Sequence, residues 1–219
     1  MKKIMFSMAA LLVMTAACKK NEEKAADANA IAADTTAVKT ETSEAAVPMD
    51  SAAMMKAWQA YATPGEAHKV LAMDEGNWNE DVTMWMKPDD PKPTKTKMTA
   101  TSKMVLGGRY QEMVHKGTMM GQPFEGHGTV AYNNASKKIE STWIDNMGTG
   151  MMYMSGAYDG TAKTMELKGE MVDPMTRKNK PCRETFTIID DNTRKMEMFD
   201  ITADGKEYKS MEIVMTRKK

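Results

Sequence analysis

From Trp78 to the C-terminus, short apolar runs alternate with turn-forming residues at intervals of about ten residues. The breaks are rich in glycine, proline, asparagine and aspartate, which favour turns. No helical periodicity intervenes, so consecutive strands are expected to pair as an antiparallel meander. A meander of this length most simply closes on itself, because closure removes exposed strand edges. We therefore predict an all-β, up-and-down barrel of roughly ten antiparallel strands over residues 76–219, with strands that begin near Trp78, Lys95, Arg109, Phe124, Lys138, Gly150, Thr164, Lys180, Arg194 and Lys206.

Alternation of apolar and polar residues is clearest in the last candidate strand, where one face carries Met211, Ile213, Met215 and Arg217. In the first strand, Glu80 shares a face with the apolar residues Trp78, Val82 and Met84. Elsewhere both faces carry apolar residues, so the pattern alone does not assign the inner face of those strands.

Two short helices are predicted before the barrel, within residues 49–75. Ser51–Tyr61 spaces its large apolar residues by three and four positions, with Asp50 or Ser51 as the N-cap. The second helix begins at Thr63-Pro64-Gly65-Glu66, whose threonine is the expected N-cap and whose glutamate completes a capping box.

Residues 1–17 have the composition of a secretory signal peptide. Two lysines follow the initial methionine, an apolar stretch runs from Ile4 to Val13, and small residues precede Cys18. The apolar stretch is too short to span a membrane. The cysteine resembles that of a bacterial lipobox, although Thr15 stands where leucine or valine is commoner. We therefore predict that Cys18 is lipidated and becomes the mature N-terminus, with simple signal-peptidase cleavage as the alternative.

Residues 18–48 are predicted to be the lipidated cysteine followed by a disordered tether. The segment is mostly alanine, threonine, glutamate, lysine and aspartate. It has too few large apolar residues to offset the entropy of ordering. The acidic pair Glu22-Glu23 resembles an export signal of bacterial lipoproteins, and an ordinary polar tether is the alternative. These features predict a lipoprotein of the cell envelope, in the outer membrane, on either its periplasmic or its outer face.

Composition and motifs exclude several classes of function. The formal net charge is zero, so no basic field indicates a nucleic-acid partner. The two cysteines lie in different contexts and no zinc-type spacing occurs, so neither a disulfide nor a zinc site is expected. No nucleophile, phosphate-loop or metalloprotease motif is present. The sequence thus predicts no catalytic residue, no cofactor, no metal site and no enzymatic activity.

The two ends of the barrel domain resemble the calycin pattern of lipocalin-like proteins. Gly76-Asn77-Trp78 opens the first strand after a helical lead-in, and Arg217 ends the last strand. The resemblance implies that Trp78 closes the base of the barrel and that Arg217 lies across its ring, a favourable cation–π contact. Gly76 lets the chain turn tightly into the strand. These three residues are therefore predicted to be structural.

Over roughly residues 68–218 the chain also resembles the bacterial domain-of-unknown-function family 1579. The chain departs from that family at Asn133, where an aspartate often follows the tyrosine, and at Arg177, where a glycine often follows the threonine. The resemblance implies a barrel fold and no particular activity. The matching runs are Leu106-Gly107-Gly108-Arg109-Tyr110, Phe124-Glu125-Gly126-His127-Gly128, Ser141-Thr142-Trp143-Ile144-Asp145, Gly156-Ala157-Tyr158-Asp159, Asp173-Pro174-Met175-Thr176 and Asp204-Gly205-Lys206-Glu207.

Two groups of residues are candidate ligand contacts. The family-like runs 124–132 and 141–145 are expected to line a cavity mouth, with Tyr132, Trp143 and Asp145 as contacts. Gly126 and Gly128 mark a bulge, a bend of the barrel or a close backbone approach, and a bend is favoured over a ligand contact. The second group falls where the family tends to carry charges, and it forms either a buried cluster that binds a ligand head group or an outer cross-strand ladder. Its members are Arg183, Glu197 and Glu212.

Three functions follow as hypotheses. The first is a lipid-anchored barrel that binds a small apolar or amphipathic molecule. The second is a structural or interaction module whose barrel is filled by side chains. The third is Cu(I) binding by some of the 26 methionines, of which Met119-Met120 and Met151-Met152 are suggestive pairs. Because methionines occur in most candidate strands, core filling is favoured for them, and Cys182 is interpreted as a small apolar residue. A metal site shared by His115 and His127 is disfavoured, because it has only two histidines and no carboxylate at a clear spacing.

Overall fold

The computed structural model describes residues 50–219, which form two helices followed by ten strands. The predicted signal peptide 1–17, the lipidated Cys18 and the tether to residue 48 lie outside these residues. Neither helix within residues 50–219 is long and apolar enough to cross a membrane. The elements are α1 Ser51–Ala62, α2 Glu66–Ala72, β1 Gly76–Met84, β2 Thr94–Val105, β3 Tyr110–Met119, β4 Gln122–Asn133, β5 Lys138–Asp145, β6 Met152–Asp159, β7 Thr164–Val172, β8 Asn179–Asp190, β9 Thr193–Ile201 and β10 Glu207–Arg217.

Each strand pairs antiparallel with its neighbours in sequence, and β1 pairs with β10 to close the barrel. The predicted ten-stranded, all-β, up-and-down barrel is therefore confirmed. Every strand begins within two residues of its predicted start. Closure gives both backbone edges of every strand a partner, so no edge strand is left to pair with another molecule.

Turn chemistry explains two departures from the family pattern. The side-chain oxygen of Asn133 accepts hydrogen bonds from the backbone N–H of Ala135 (2.9 Å) and of Ser136 (3.2 Å). An aspartate would accept the same two bonds, so asparagine preserves this turn. Arg177 has a φ of 59°, in the left-handed region that glycine adopts without steric cost. The turn is thus retained at both positions, with some backbone strain at Arg177.

The start of α2 differs from the prediction. The helix begins at Glu66 with Gly65 as its N-cap, whereas Thr63 is the C-cap of α1. The backbone N–H of Gly65 donates to Nδ1 of His68 (3.0 Å), so histidine and not glutamate supplies the side-chain acceptor. Burial, followed by the charge of Arg109, lowers the pKa of His68, which keeps the ring neutral and able to accept this bond.

Trp78 lies at the base of the barrel and is completely buried. Its indole N–H donates to the backbone carbonyl of Asp74 (2.8 Å). The guanidinium carbon of Arg217 stands 4.3 Å from the ring centroid, and that of Arg194 stands 5.2 Å from it. Gly76 enters β1 with a φ of 126°, and a Cβ there would lie 3.0 Å from Nη1 of Arg217. The tryptophan thus joins both ends of the barrel domain.

A buried ion pair completes the base. Nε of Arg194 donates to Oδ1 of Asp74 (2.6 Å), and both side chains are at most 2% exposed. The amide nitrogen of Gln111 donates to the carbonyl of Leu71 (2.7 Å), which fixes the end of α2 on the barrel. Breaking a buried pair by removing one partner typically costs about 3–5 kcal/mol, because the other charge is left without compensation. The base is therefore closed by packed and paired groups.

We expect Trp78→Ala to lower the free energy of unfolding by about 3–5 kcal/mol, the usual range for deleting a large core aromatic side chain. Trp58→Ala is the matched control, because Trp58 on α1 is 62% exposed, and its change should stay within about 0.5 kcal/mol. Urea unfolding of both variants measures the difference. A loss below about 1 kcal/mol for Trp78→Ala would contradict its role at the base.

Candidate ligand-binding cavity

The barrel interior contains a cavity of about 820 Å³. All ten strands contribute side chains to its wall. Leu71 and Asp74 line it at the base, and residues 147–151 together with Pro174 line it at the opposite end. Cavities for small organic ligands usually measure about 300–1,000 Å³. The interior is therefore large enough for such a ligand.

Methionine dominates the cavity wall and accounts for 14 of the 35 lining residues. Its unbranched thioether side chain has three rotatable bonds, so it adapts its shape to different neighbours. The wall is thus apolar and deformable. The lining methionines are Met84, Met98, Met113, Met119, Met147, Met151, Met152, Met154, Met165, Met171, Met196, Met198, Met211 and Met215.

Two of the predicted ligand contacts, Trp143 and Asp145, line the cavity. The indole N–H of Trp143 donates to Oδ2 of Asp145 (2.7 Å). Tyr132 lies instead at the base, where its ring packs edge-on against His68 at 5.8 Å. A Cβ at Gly126 would clash with the indole of Trp143. The glycine therefore provides space for this tryptophan, which is a close approach of the kind that a glycine within a strand marks.

The other three candidates lie on the outer face of the barrel. They alternate along their strands with the cavity-lining residues Glu184, Met196 and Ile213, so they point away from the interior. The guanidinium of Arg183 donates to the carboxylate of Glu207 (2.7 and 2.9 Å). Nζ of Lys209 donates to the carboxylates of Glu197 (3.1 Å) and Glu212 (2.5 Å). Of the two alternatives for Arg183, Glu197 and Glu212, the structure therefore has the outer cross-strand ladder and not the buried head-group cluster.

The sequence left both alternatives open for a physical reason. Strands β8 and β9 carry apolar residues on both faces, and Phe199 on the outer face supports the guanidinium of Arg183 at 3.8 Å. An outward aromatic residue makes the outer face resemble an inner one, so the sequence does not determine which face is buried.

Sequence reasoning did not identify the pair formed by Glu80 and His115 as part of the site. Oε1 of Glu80 lies 2.9 Å from Nδ1 of His115, and the glutamate is 1% exposed. Its other carboxylate oxygen has no hydrogen-bond partner within the described part of the chain. The imidazole packs edge-on against Trp143 at 5.1 Å. The available signal was the position of Glu80 on the apolar face of the first strand.

The two histidines considered as a metal site lie on opposite faces of the barrel wall. His127 is opposite Val114 in the strand register, so it points outward while His115 points inward. Nε2 of His127 lies 3.0 Å from a carboxylate oxygen of Glu125. Within residues 50–219, no group of three or more histidine, cysteine, aspartate or glutamate side chains is arranged to hold a metal ion.

Glu184 faces the cavity between apolar neighbours. Its neighbours in register are Leu167 on β7 and Met198 on β9. The side chain is partly buried and borders the cavity. This burial raises the pKa of its carboxyl to about 7.

The few ionisable residues of the apolar cavity wall are mostly acidic. Its ionisable residues are Asp74, Glu80, His115, Asp145 and Glu184, and no lysine or arginine of the described chain lines it. Asp74 is neutralised by the ion pair at the base. The remaining wall therefore presents hydrogen-bond acceptors and carboxylates to any molecule inside the barrel.

Glu184 should make the free energy of unfolding depend on pH. Its pKa of about 7 lies above the ordinary value of 4.5, so between these values the folded protein binds more protons than the unfolded chain. The stability associated with this group is thus fully present below about pH 4.5 and is lost as the pH rises through about 7. We expect Glu184→Gln to abolish this loss and to gain about 1–3 kcal/mol relative to wild type above pH 7.

Urea unfolding at about pH 5 and about pH 8 measures this effect. Glu166→Gln is the matched control, because Glu166 is exposed and paired with Lys168 on the outer face. A Glu184→Gln variant whose pH dependence equals that of wild type would show that the carboxylate is well hydrated inside the cavity.

Comparisons with known proteins address the fold and the family. No curated protein matches the chain significantly. A crystal structure of Rv2717c from M. tuberculosis is similar with a TM-score of 0.53 at 14% identity, and the match covers 72% of this chain and 100% of that one. A redesigned beta barrel gives a TM-score of 0.37 at 14% identity, with the same coverage. The model of the family described as "Protein of unknown function (DUF1579)" matches residues 63–217. The chain therefore belongs to the DUF1579 family.

Proposed function

We propose that this protein is a lipid-anchored envelope protein that binds a small apolar molecule inside its barrel. The observation that carries the proposal is the methionine-rich cavity of about 820 Å³. A barrel filled by its own side chains, as in a purely structural or interaction module, would leave well under about 300 Å³. An apolar cavity with a few convergent polar groups is the usual form of a ligand site.

The ionisable residues of the cavity wall indicate which polar group a ligand would carry. Glu80, Asp145 and Glu184 contribute carboxyl groups, and His115 is the one basic side chain on the wall within residues 50–219. A carboxylate of a ligand would lose its hydration in this cavity and gain no lysine or arginine partner. A hydroxyl or amine would instead find acceptors. The ligand is therefore an alcohol-like or amine-bearing apolar molecule and not a fatty-acid anion.

The envelope location rests on the N-terminal sequence. Residues 1–17 have the pattern of a secretory signal, and Cys18 follows its small residues. Acyl chains on one cysteine would anchor the protein stably, at about 0.8 kcal/mol for each buried methylene. The polar segment to residue 48 would then let the barrel stand away from the membrane.

Ligand binding is tested with the neutral fluorescent probe 1-N-phenylnaphthylamine and three competitors that share one chain length. We expect saturable binding of the probe, displacement by dodecanol and dodecylamine, and displacement by dodecanoate that is at least about tenfold weaker, because the wall lacks a cation. Native mass spectrometry of protein purified from its host should also detect a bound molecule.

The variant Met198→Trp should weaken probe binding at least about tenfold, because the larger side chain fills part of the cavity. Met55→Trp is the matched control, since Met55 lies on α1 and is 70% exposed. Absence of saturable binding, together with a native mass equal to that of the bare chain, would favour the structural or interaction module. Equal displacement by dodecanoate would refute the assignment of the head group.

The anchor is tested by a substitution at Cys18. We expect Cys18→Ser to move the protein from the membrane fraction to the soluble fraction and to abolish the mass increase that acylation produces. Cys182→Ser is the matched control, because Cys182 is buried in the barrel and cannot be acylated there. A Cys18→Ser protein that remains in the membrane fraction would contradict lipid anchoring.

A further inference from the structure

Three sulfur atoms meet in the barrel wall. Sγ of Cys182 lies 3.8 Å from Sδ of Met152 and 3.9 Å from Sδ of Met154. Met152 and Met154 line the cavity, whereas Cys182 lies behind them at 6% exposure. Methionines elsewhere in the interior fill space, but these two share a contact with the one cysteine of the described chain. We call this group the sulfur triad.

The strand between them makes this contact possible. Met154 on β6 and Cys182 on β8 are both opposite Gly169 of β7 in the strand register. A Cβ at Gly169 would lie 2.7 Å from Cγ of Met154 and would clash with the carbonyl of Tyr153. Because glycine has no side chain, residues two strands apart touch across it. A backbone feature of β7 therefore positions the sulfur triad.

The chemistry of the triad suits a soft metal ion, and so do the two distances from Sγ of Cys182 to the thioether sulfurs. Thiolate sulfur binds metal at about 2.3 Å, so sulfurs around one ion in trigonal or tetrahedral geometry stand about 3.8–4.0 Å apart. Thiolate and thioether ligands select Cu(I) over harder divalent ions, which prefer oxygen and imidazole. The acidic wall without lysine or arginine among residues 50–219 also favours entry of a cation.

We propose that Cys182, Met152 and Met154 form a binding site for one soft monovalent cation, Cu(I) or Ag(I). Binding exchanges a proton for the metal: the S–H bond of Cys182 breaks, a sulfur–metal bond forms, and the proton passes to the buffer. The two thioethers donate lone pairs and lose nothing. No electron is transferred. The thiolate charge cancels that of the cation, so the apolar surroundings gain no net charge.

A binding measurement distinguishes a metal site from sulfur atoms in van der Waals contact. The full-length protein is titrated anaerobically with Cu(I) in competition with bicinchoninate, and separately with Ag(I). We expect one ion per barrel with a dissociation constant tighter than about 1 µM. X-ray absorption of the Cu(I)-loaded protein should report sulfur ligands at about 2.3 Å.

The variants separate the triad from the other methionines. Cys182→Ser should weaken Cu(I) binding by roughly a hundredfold, and Met152→Leu or Met154→Leu by roughly tenfold each. Leucine conserves volume, so these proteins should remain folded, as thermal unfolding would verify. Met165→Leu is the matched control, because Met165 lies in the same core cluster outside the triad. Cys18→Ser should likewise retain binding.

Several outcomes would overturn the proposal. Folded wild-type protein that binds neither ion more tightly than about 1 µM has no such site. Equal weakening by Met165→Leu and Met154→Leu would assign binding to the methionine-rich wall in general. If Cys182→Ser does not fold, the two leucine variants decide: unchanged affinity in both would exclude the triad.

Discussion

The structure depends on the contact of the buried indole of Trp78 with two guanidinium groups at the base of the barrel, that of the buried Arg194 and that of the partly exposed Arg217. A cation near a buried indole ring gains electrostatic energy, and water screens this gain less where the contact is buried. Arg217 lies on β10 and Arg194 lies on β9, so the ring of Trp78 on β1 connects three strands. Asp74 compensates the charge of Arg194 and also accepts the indole hydrogen bond through its carbonyl. The pairing of β1 with β10 that closes the strand ladder thus also places Arg217 against Trp78 at the base.

A dry, paired base allows the remainder of the interior to stay hollow. A cavity deprives its lining atoms of dispersion contacts, which weakens the core of any barrel. Stability must therefore come from the uninterrupted backbone ladder of ten strands and from the packed base. Methionine suits the hollow part, because its flexible side chain can reduce local voids without fixing a single packed arrangement. The base of the barrel is thus held by aromatic and charged groups, whereas the hollow part is lined by flexible methionines.

Local signals in the sequence predicted the strands, because each turn carries its own residue preferences. The base could also be anticipated, since Gly76, Trp78 and Arg217 lie at the recognisable ends of the domain. The inner face of β8 and β9 could not, because apolar residues on both faces remove the period-two signal. The sulfur triad could not be predicted from the sequence for another reason. Cys182 meets Met154 across an intervening strand, and only the register that places Gly169 between them brings the two sulfurs together.

The acidic wall relates the apolar cavity to the sulfur triad. Carboxyl groups in a low-dielectric interior repel anions and favour cations or hydrogen-bond donors, whatever the rest of the molecule contains. The same wall would therefore accept an amine head group and admit a monovalent metal ion. Met152 and Met154 border the cavity while Cys182 lies behind them. A ligand inside the barrel would contact the thioethers and leave the thiol covered, so the two modes of binding share a wall but differ in the residue that defines each.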